Sequence, residues 1–171
     1  MKKDYVPYSK LVLEHFKHPK NVGKIKNANG TGRAGNFLCG DVMDIYLKIK
    51  KDKEGKERIS DIKFQTFGCI VAIANTSMLT KMVKGKTLEE ALKITKDDLL
   101  KKLGEVPPIK IHCSVLALDA LHEALYDYYL KNKLKIPIIL KKEHNRIGKT
   151  LKDIEEKYKQ FTEMQEKFYE K

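Results

Sequence analysis

Residues 36–67, NFLCGDVMDIYLKIKKDKEGKERISDIKFQTF, decide the fold class, because their apolar residues recur at every second position. Phe37, Cys39, Asp41, Met43, Ile45, Leu47 and Ile49 share one parity, so a strand turns them all to the same side of a sheet. The lysine-rich KKDKEGKE at 50–57 reads as a hairpin loop and RISDIKFQTF at 58–67 as the returning strand. A thiol and a carboxylate interrupt the apolar face. Asp41, carried on such a face, needs a buried partner, because an uncompensated charge is costly to remove from water.

Outward from this hairpin the pattern becomes helical. On the N-terminal side, Ser9 caps a short helix through about Phe16, Pro19 stops it, and HPKNVG supplies turn residues in Asn21 and Gly23. On the other side, CIVAIANTSMLTKMV at 69–83 is apolar up to Gly85, which predicts a buried helix with Cys69 at its entrance. Thr87 with Glu90, and Thr95 with Asp98, have capping-box spacing, so two short helices follow, the second ended by Gly104. Pro107 and Pro108 break the pattern. A helix from about Ser114 to Lys131 then carries Leu118, Leu121, Leu125 and Tyr128 on one stripe. Strands first and helices afterwards predict an α+β domain, a small antiparallel sheet packed against several helices, over residues 1–131. Residues 132–171 read as a charged, helical C-terminal extension. After the short apolar IPIIL, its Ile147, Leu151, Ile154, Tyr158, Phe161 and Phe168 form a 4-3 seam interrupted at Gln165, expected to pack on the chain's own domain or on a second copy.

Composition narrows the function classes. The 171 residues are 42% hydrophobic, enough for one cored domain. No run of 18 apolar residues and no signal-like N-terminus is present, so the expectation is a soluble, cytoplasmic protein with no membrane role. The net charge of +12 is carried mostly by lysines interspersed with carboxylates. Without an arginine run or a stacking series of aromatics, this argues against nucleic acid and for steering of acidic protein partners. The three cysteines stand 30 and 44 residues apart, unlike a disulfide framework, and read as reduced thiols.

Those thiols carry the chemistry. Cys69 follows Gly68 at one helix start, and Cys113 follows His112 at another. The unsatisfied amides and positive dipole end of a helix N-terminus favour the thiolate, the form that binds metal or accepts sulfur. Gly40 beside Cys39 and Gly68 beside Cys69 leave room for an inorganic group. Three thiolates with either Asp41 or His112 complete a tetrahedral Zn²⁺ site or the four terminal positions of a [2Fe-2S] cluster.

Six pieces in order, YSKLVLEHFKHPKNVG (8–23), CGD (39–41), KFQTFGC (63–69), AIANTSML (72–79), GKTLEEAL (85–92) and PPIKIHCSVLALDAL (107–121), resemble the iron-sulfur cluster scaffold family, the IscU proteins and the N-terminal module of NifU. The resemblance covers roughly residues 5 to 131. It implies a non-enzymatic scaffold on which sulfur from a cysteine desulfurase and iron are assembled into a [2Fe-2S] cluster that passes to apo iron-sulfur proteins. It also implies Cys39, Cys69 and Cys113 as cluster cysteines, Asp41 as the family's aspartate, His112 as an additional ligand, and Cys113 as sulfur acceptor. Val106, Pro107, Pro108, Ile109 and Lys110 match the segment that an Hsp70-type chaperone binds, although relatives typically read Leu-Pro-Pro-Val-Lys there and Gly-Cys-Gly where this chain has Gly68-Cys69-Ile70. The alternative within the same fold is a zinc-dependent, SufU-like sulfur-transfer protein. That branch carries an insertion between the second and third cysteines, which the 44-residue interval here lacks.

Overall fold

The computed structural model describes residues 8–36 and 40–169. Among them three strands, β1 (Gly30–Gly35), β2 (Val42–Lys51) and β3 (Glu57–Phe67), form an antiparallel sheet in the order β1-β2-β3. The expected hairpin is β2–β3, with Ile45 opposite Phe64 and Leu47 opposite Ile62 and a register shift between Lys48 and Ile49. The alternation does what its period requires: Met43, Ile45, Leu47 and Ile49 are buried, while on the opposite face Arg33 of β1 donates two hydrogen bonds to Asp44 of β2. Phe37, Cys39 and Leu38 lie outside the described residues.

Helices cover the apolar face. After α1 (Lys10–Lys17), capped by Ser9, come α2 (Ile70–Val83), α3 (Leu88–Leu92), α4 (Lys96–Leu103), α5 (His112–Lys131) and α6 (Ile138–Tyr169). Both expected capping boxes are present, at Thr87 with Glu90 and at Thr95 with Asp98, and Gly104 ends α4 at φ +81°. The helix α2 is buried nearly all round, and its Thr76, Ser77 and Thr80 hydroxyls find partners inside, whereas neither polar atom of the Asn75 side chain has one among the described residues. Ser77 Oγ accepts from the Lys20 N–H and lies 2.7 Å from His15 Nδ1. Burial pulls the His15 pKa down, so the imidazole is disposed to be neutral in this contact.

Sequence reasoning missed β1. GTGRAG has three glycines in six residues, a composition that disfavours a strand. Its reason is tertiary. A Cβ on Gly32 would stand 2.2 Å from the Ala124 nitrogen and 2.3 Å from the Ala120 oxygen, and one on Gly30 2.5 Å from the Ala124 oxygen. The backbone of α5 lies directly on the backbone of β1, and only glycine permits that approach.

Two boundaries move. The helix α5 starts at His112 rather than Ser114, because a 3₁₀ turn over Pro108–Lys110 already sets the helical direction. The helix α6 starts at Ile138, directly after Pro137, so the residues IIL of the apolar stretch form its first turn and bury Leu140 in the core. Its seam is only partly used: Ile147 is buried, whereas Tyr158 and Phe161 are exposed. No helix among the described residues is long and apolar enough to cross a membrane.

Gly32→Ala should destabilise the protein by about 3 kcal/mol or more, since backbone rather than a mobile side chain must move. Gly148→Ala in α6, where a Cβ meets nothing within 4 Å, should be neutral or stabilising by up to ~1 kcal/mol. Chemical denaturation of the two variants checks this; equal midpoints would refute the contact.

Candidate functional site

Three elements converge at one end of the sheet. Cys69 is the N-cap residue of α2, immediately after β3. Cys113 is the second residue of α5. Asp41 leads into β2, and its carbonyl accepts from the Asn36 N–H at the end of β1. The sequence separates these residues widely; the antiparallel sheet and the seating of α5 on β1 bring them together.

The ligand atoms of Asp41, Cys69 and Cys113 all lie within 4.8 Å of one another. The two Sγ atoms are 3.5 Å apart and neither belongs to a disulfide. Cys113 Sγ lies 3.6 Å from Asp41 Oδ2 as a weak donor. Burial is deep: Cys113 is 0% and Asp41 4% exposed, with Cys69 intermediate. Gly68 keeps the space, since a Cβ there would fall 3.2 Å from Asp41 Cγ and 3.0 Å from Ala72 Cβ.

The electrostatics favour a thiolate at Cys69. Hydrogen bonding from Cys113 is the largest influence, and the backbone amides of Ala72 and Val71 at the start of α2 add to it, against the opposing effects of burial and the Asp41 charge; together they lower the Cys69 pKa to about 6. Among the described residues, Cys113, with one S–H proton, lies near both Cys69 Sγ and Asp41 Oδ2, and it cannot donate fully to both at once. A buried carboxylate beside two ionisable thiols is an arrangement that a bound cation compensates.

His112, the first residue of α5, is intermediate in exposure, and its Nε2 is buried without a hydrogen-bond partner among the described residues. It stands outside the three-ligand group but lines a cavity of ≈ 330 Å³ with Asn36 and Leu116. Cys39, two residues before Asp41, is outside the described residues. In the Val106–Lys110 segment, Pro107 is extended (φ −54°, ψ 134°) and Pro108 opens the 3₁₀ turn. The extended conformation therefore ends at Pro107. Val106 packs against the core, whereas Ile109 is 78% exposed.

A second cluster, Asp119, His122 and Glu143, joins α5 to α6. Arg146 already bridges its carboxylates, 2.5 Å from Asp119 Oδ1 and 2.6 Å from Glu143 Oε2, which gives it a structural role in fastening the two helices. What sequence reasoning missed is that Leu151, Glu155 and Tyr158 of α6 line a cavity of ≈ 280 Å³ with Asp41. The continuation of the apolar seam beyond Ile147 was the available signal.

Comparison with known proteins agrees with this geometry. Residues 7–135 match the family model of the NifU-like N terminal domain. The chain is 57% identical over 125 residues to the iron-sulfur cluster assembly scaffold protein IscU 1 of Archaeoglobus fulgidus, covering 73% of this chain and 78% of that protein. It is 48% identical over 124 residues to the scaffold protein IscU of Aquifex aeolicus, covering 72% and 77%. A crystal structure from Fervidobacterium islandicum, described as an iron-sulfur cluster assembly scaffold protein for the SUF system, superposes with a TM-score of 0.58 at 26% identity, covering 69% of this chain and 96% of that one. With its fold, its converging thiols and these relatives on one side of the argument, the chain belongs to the family of NifU-like N terminal domains that includes the IscU proteins.

Proposed function

We propose that this protein is a scaffold on which a [2Fe-2S] cluster is assembled and from which it is passed on, the cluster being cargo rather than a resident cofactor. The observation that carries this reading is the approach of two thiols and a carboxylate within 4.8 Å in a buried site. Identities of 57% and 48% to proteins named iron-sulfur cluster assembly scaffold protein IscU support a cluster scaffold. The ligands are Cys39, Cys69 and Cys113, with Asp41 or His112 in the fourth position. Cys39 is assigned by its place in the sequence. Thiolate and imidazole also suit Zn²⁺, so the cluster-free protein binds one Zn²⁺ at the same atoms.

The partners follow from the chemistry. Sulfur arrives as a persulfide on a cysteine desulfurase. The Cys113 thiolate attacks the outer sulfur, the donor's S–S bond breaks, the donor leaves as a thiolate, and a persulfide forms on Cys113. An external reductant then supplies the two electrons that convert this sulfur to sulfide. Apo iron-sulfur proteins receive the finished cluster. Ile109 is the exposed anchor in the segment Val106, Pro107, Pro108, Ile109 and Lys110, where an Hsp70-type chaperone docks. The protein works by holding and releasing cargo rather than by turnover, without nucleic acid or membrane. Cys69 and Cys113, which form no disulfide, suit the reducing cytoplasm.

Asp41 provides lability. A carboxylate is a harder ligand than a thiolate, binds an iron-sulfur centre less tightly, and yields more readily to an incoming thiolate.

Anaerobic reconstitution with iron, sulfide or a desulfurase should give [2Fe-2S] absorption, and Cys69→Ser or Cys113→Ser should each lose most of the cluster. A normal, persistent cluster in Cys113→Ser would refute the ligand assignment. Mass spectrometry after reaction with a desulfurase should locate the added sulfur on Cys113; sulfur found only on Cys69, the more accessible thiol, would move the acceptor role there. Asp41→Ala should hold its cluster longer and transfer it more slowly to an apo-ferredoxin, with His112 in the fourth position. A shorter half-life in a folded variant would make Asp41 an obligatory ligand instead.

A further inference from the structure

The family match ends at residue 135, yet the site does not end there. The helix α6 is fastened to α5 at three points. Leu140 and Ile147 are buried, His144 stacks on Tyr126 at 3.9 Å and lies 3.0 Å from Glu123, and Arg146 bridges to Asp119. Ile147, Leu151, Glu155 and Tyr158 follow one another at spacings of four, four and three, so they form one stripe of the helix. With Ile147 fixed in the core, the next turns of that stripe are carried past the end of the sheet where Asp41 sits.

Leu151 Cδ2 comes within 3.7 Å of the position a Cβ on Gly35 would take, at the last residue of β1. Leu151, Glu155 and Tyr158 then form one wall of the cavity whose other wall is Arg33, Gly35 and Asp41. Arg146 and Thr150, on the neighbouring stripe, wall the cavity that holds His112. Both non-thiolate ligand candidates therefore line cavities to which α6, a helix outside the matched family domain, contributes side chains.

We propose that Leu151 and Tyr158 act as positioning and shielding residues of the site: they restrict the approach of water, chelators and recipient thiolates to the Asp41 side of the ligand set and so set how fast bound metal or cluster is released. The inference rests on the scaffold reading. Release requires an incoming ligand to reach the metal as Asp41 lets go, and an apolar wall one side chain deep slows that approach without adding a ligand.

The test uses full-length protein loaded either with Zn²⁺ alone or with a [2Fe-2S] cluster, and follows release to a chromogenic chelator and to an apo-ferredoxin. The Leu151→Ala/Tyr158→Ala variant should release both roughly threefold to tenfold faster at unchanged stoichiometry, as expected when solvent gains access to a shielded site. Leu151→Met, which keeps the bulk, should behave as wild type, and so should Phe161→Ala, a change at an exposed seam position that lines neither cavity. Unchanged release in the double variant overturns the proposal, as does an equal acceleration in Phe161→Ala, which would indicate a general loosening of α6. Wild-type protein that takes up neither Zn²⁺ nor cluster would bring down the scaffold reading and this inference with it, whereas normal uptake with unchanged release removes this inference alone.

Discussion

The contact between the backbone of α5 and the glycines of β1 governs the geometry of the rest. With a Cβ on Gly32 only 2.2 Å from a backbone nitrogen of α5, the helix axis cannot lie where it does over any other residue. That close seating buries Ala117, Ala120, Leu121 and Ala124 and fixes where the helix begins. Because Cys113 is the second residue of α5, its thiol takes its position from this contact. Cys69 is placed independently by the short passage from β3 into α2. Two rigid supports, each tied to a different part of the sheet, hold the sulfurs 3.5 Å apart without a covalent link.

Holding ionisable groups that close opposes folding. The carboxylate of Asp41 is almost wholly removed from water, and the Cys69 pKa is brought to about 6 although burial and the Asp41 charge both resist ionisation. The amides at the start of α2 and the Cys113 thiol favour the charge; a cation would favour it more. Such a site is stabilised by its cargo, which links loading to the stability of the surrounding helices. Cargo must also leave. In the proposed ligand set, one harder carboxylate, beside a histidine whose Nε2 has no hydrogen-bond partner among the described residues, offers a route for exchange that thiolates alone would not.

The outer face of the sheet and the long helix α6 complete the surroundings. Val42 and Phe67, paired across β2 and β3 at the site end of the sheet, are both exposed, Phe67 at 82%. On the opposite flank α6 lies along the site, fastened by Arg146 and His144 and continuing beyond the body of the protein as a largely exposed, charged helix. Its early turns carry the apolar residues that meet the core; its later turns carry the exposed part of the seam.

Much of this was legible in the residues themselves. The period of two over Met43 to Ile49, the caps at Ser9, Thr87 and Thr95, and the stop at Gly104 are local properties, set by a few neighbouring side chains and the backbone they satisfy, so they can be read without knowing what packs against them. Cys69 and Cys113 at helix starts were legible for the same reason. What the tertiary structure alone decided is non-local. The strand β1 is glycine-rich because of a helix some 90 residues later in the chain, the distance between the thiols depends on two packing contacts at once, and the α6 seam divides into buried, site-facing and exposed turns according to where the body of the protein happens to end. Periodicity states that a face exists; only the partner across from it determines what that face touches.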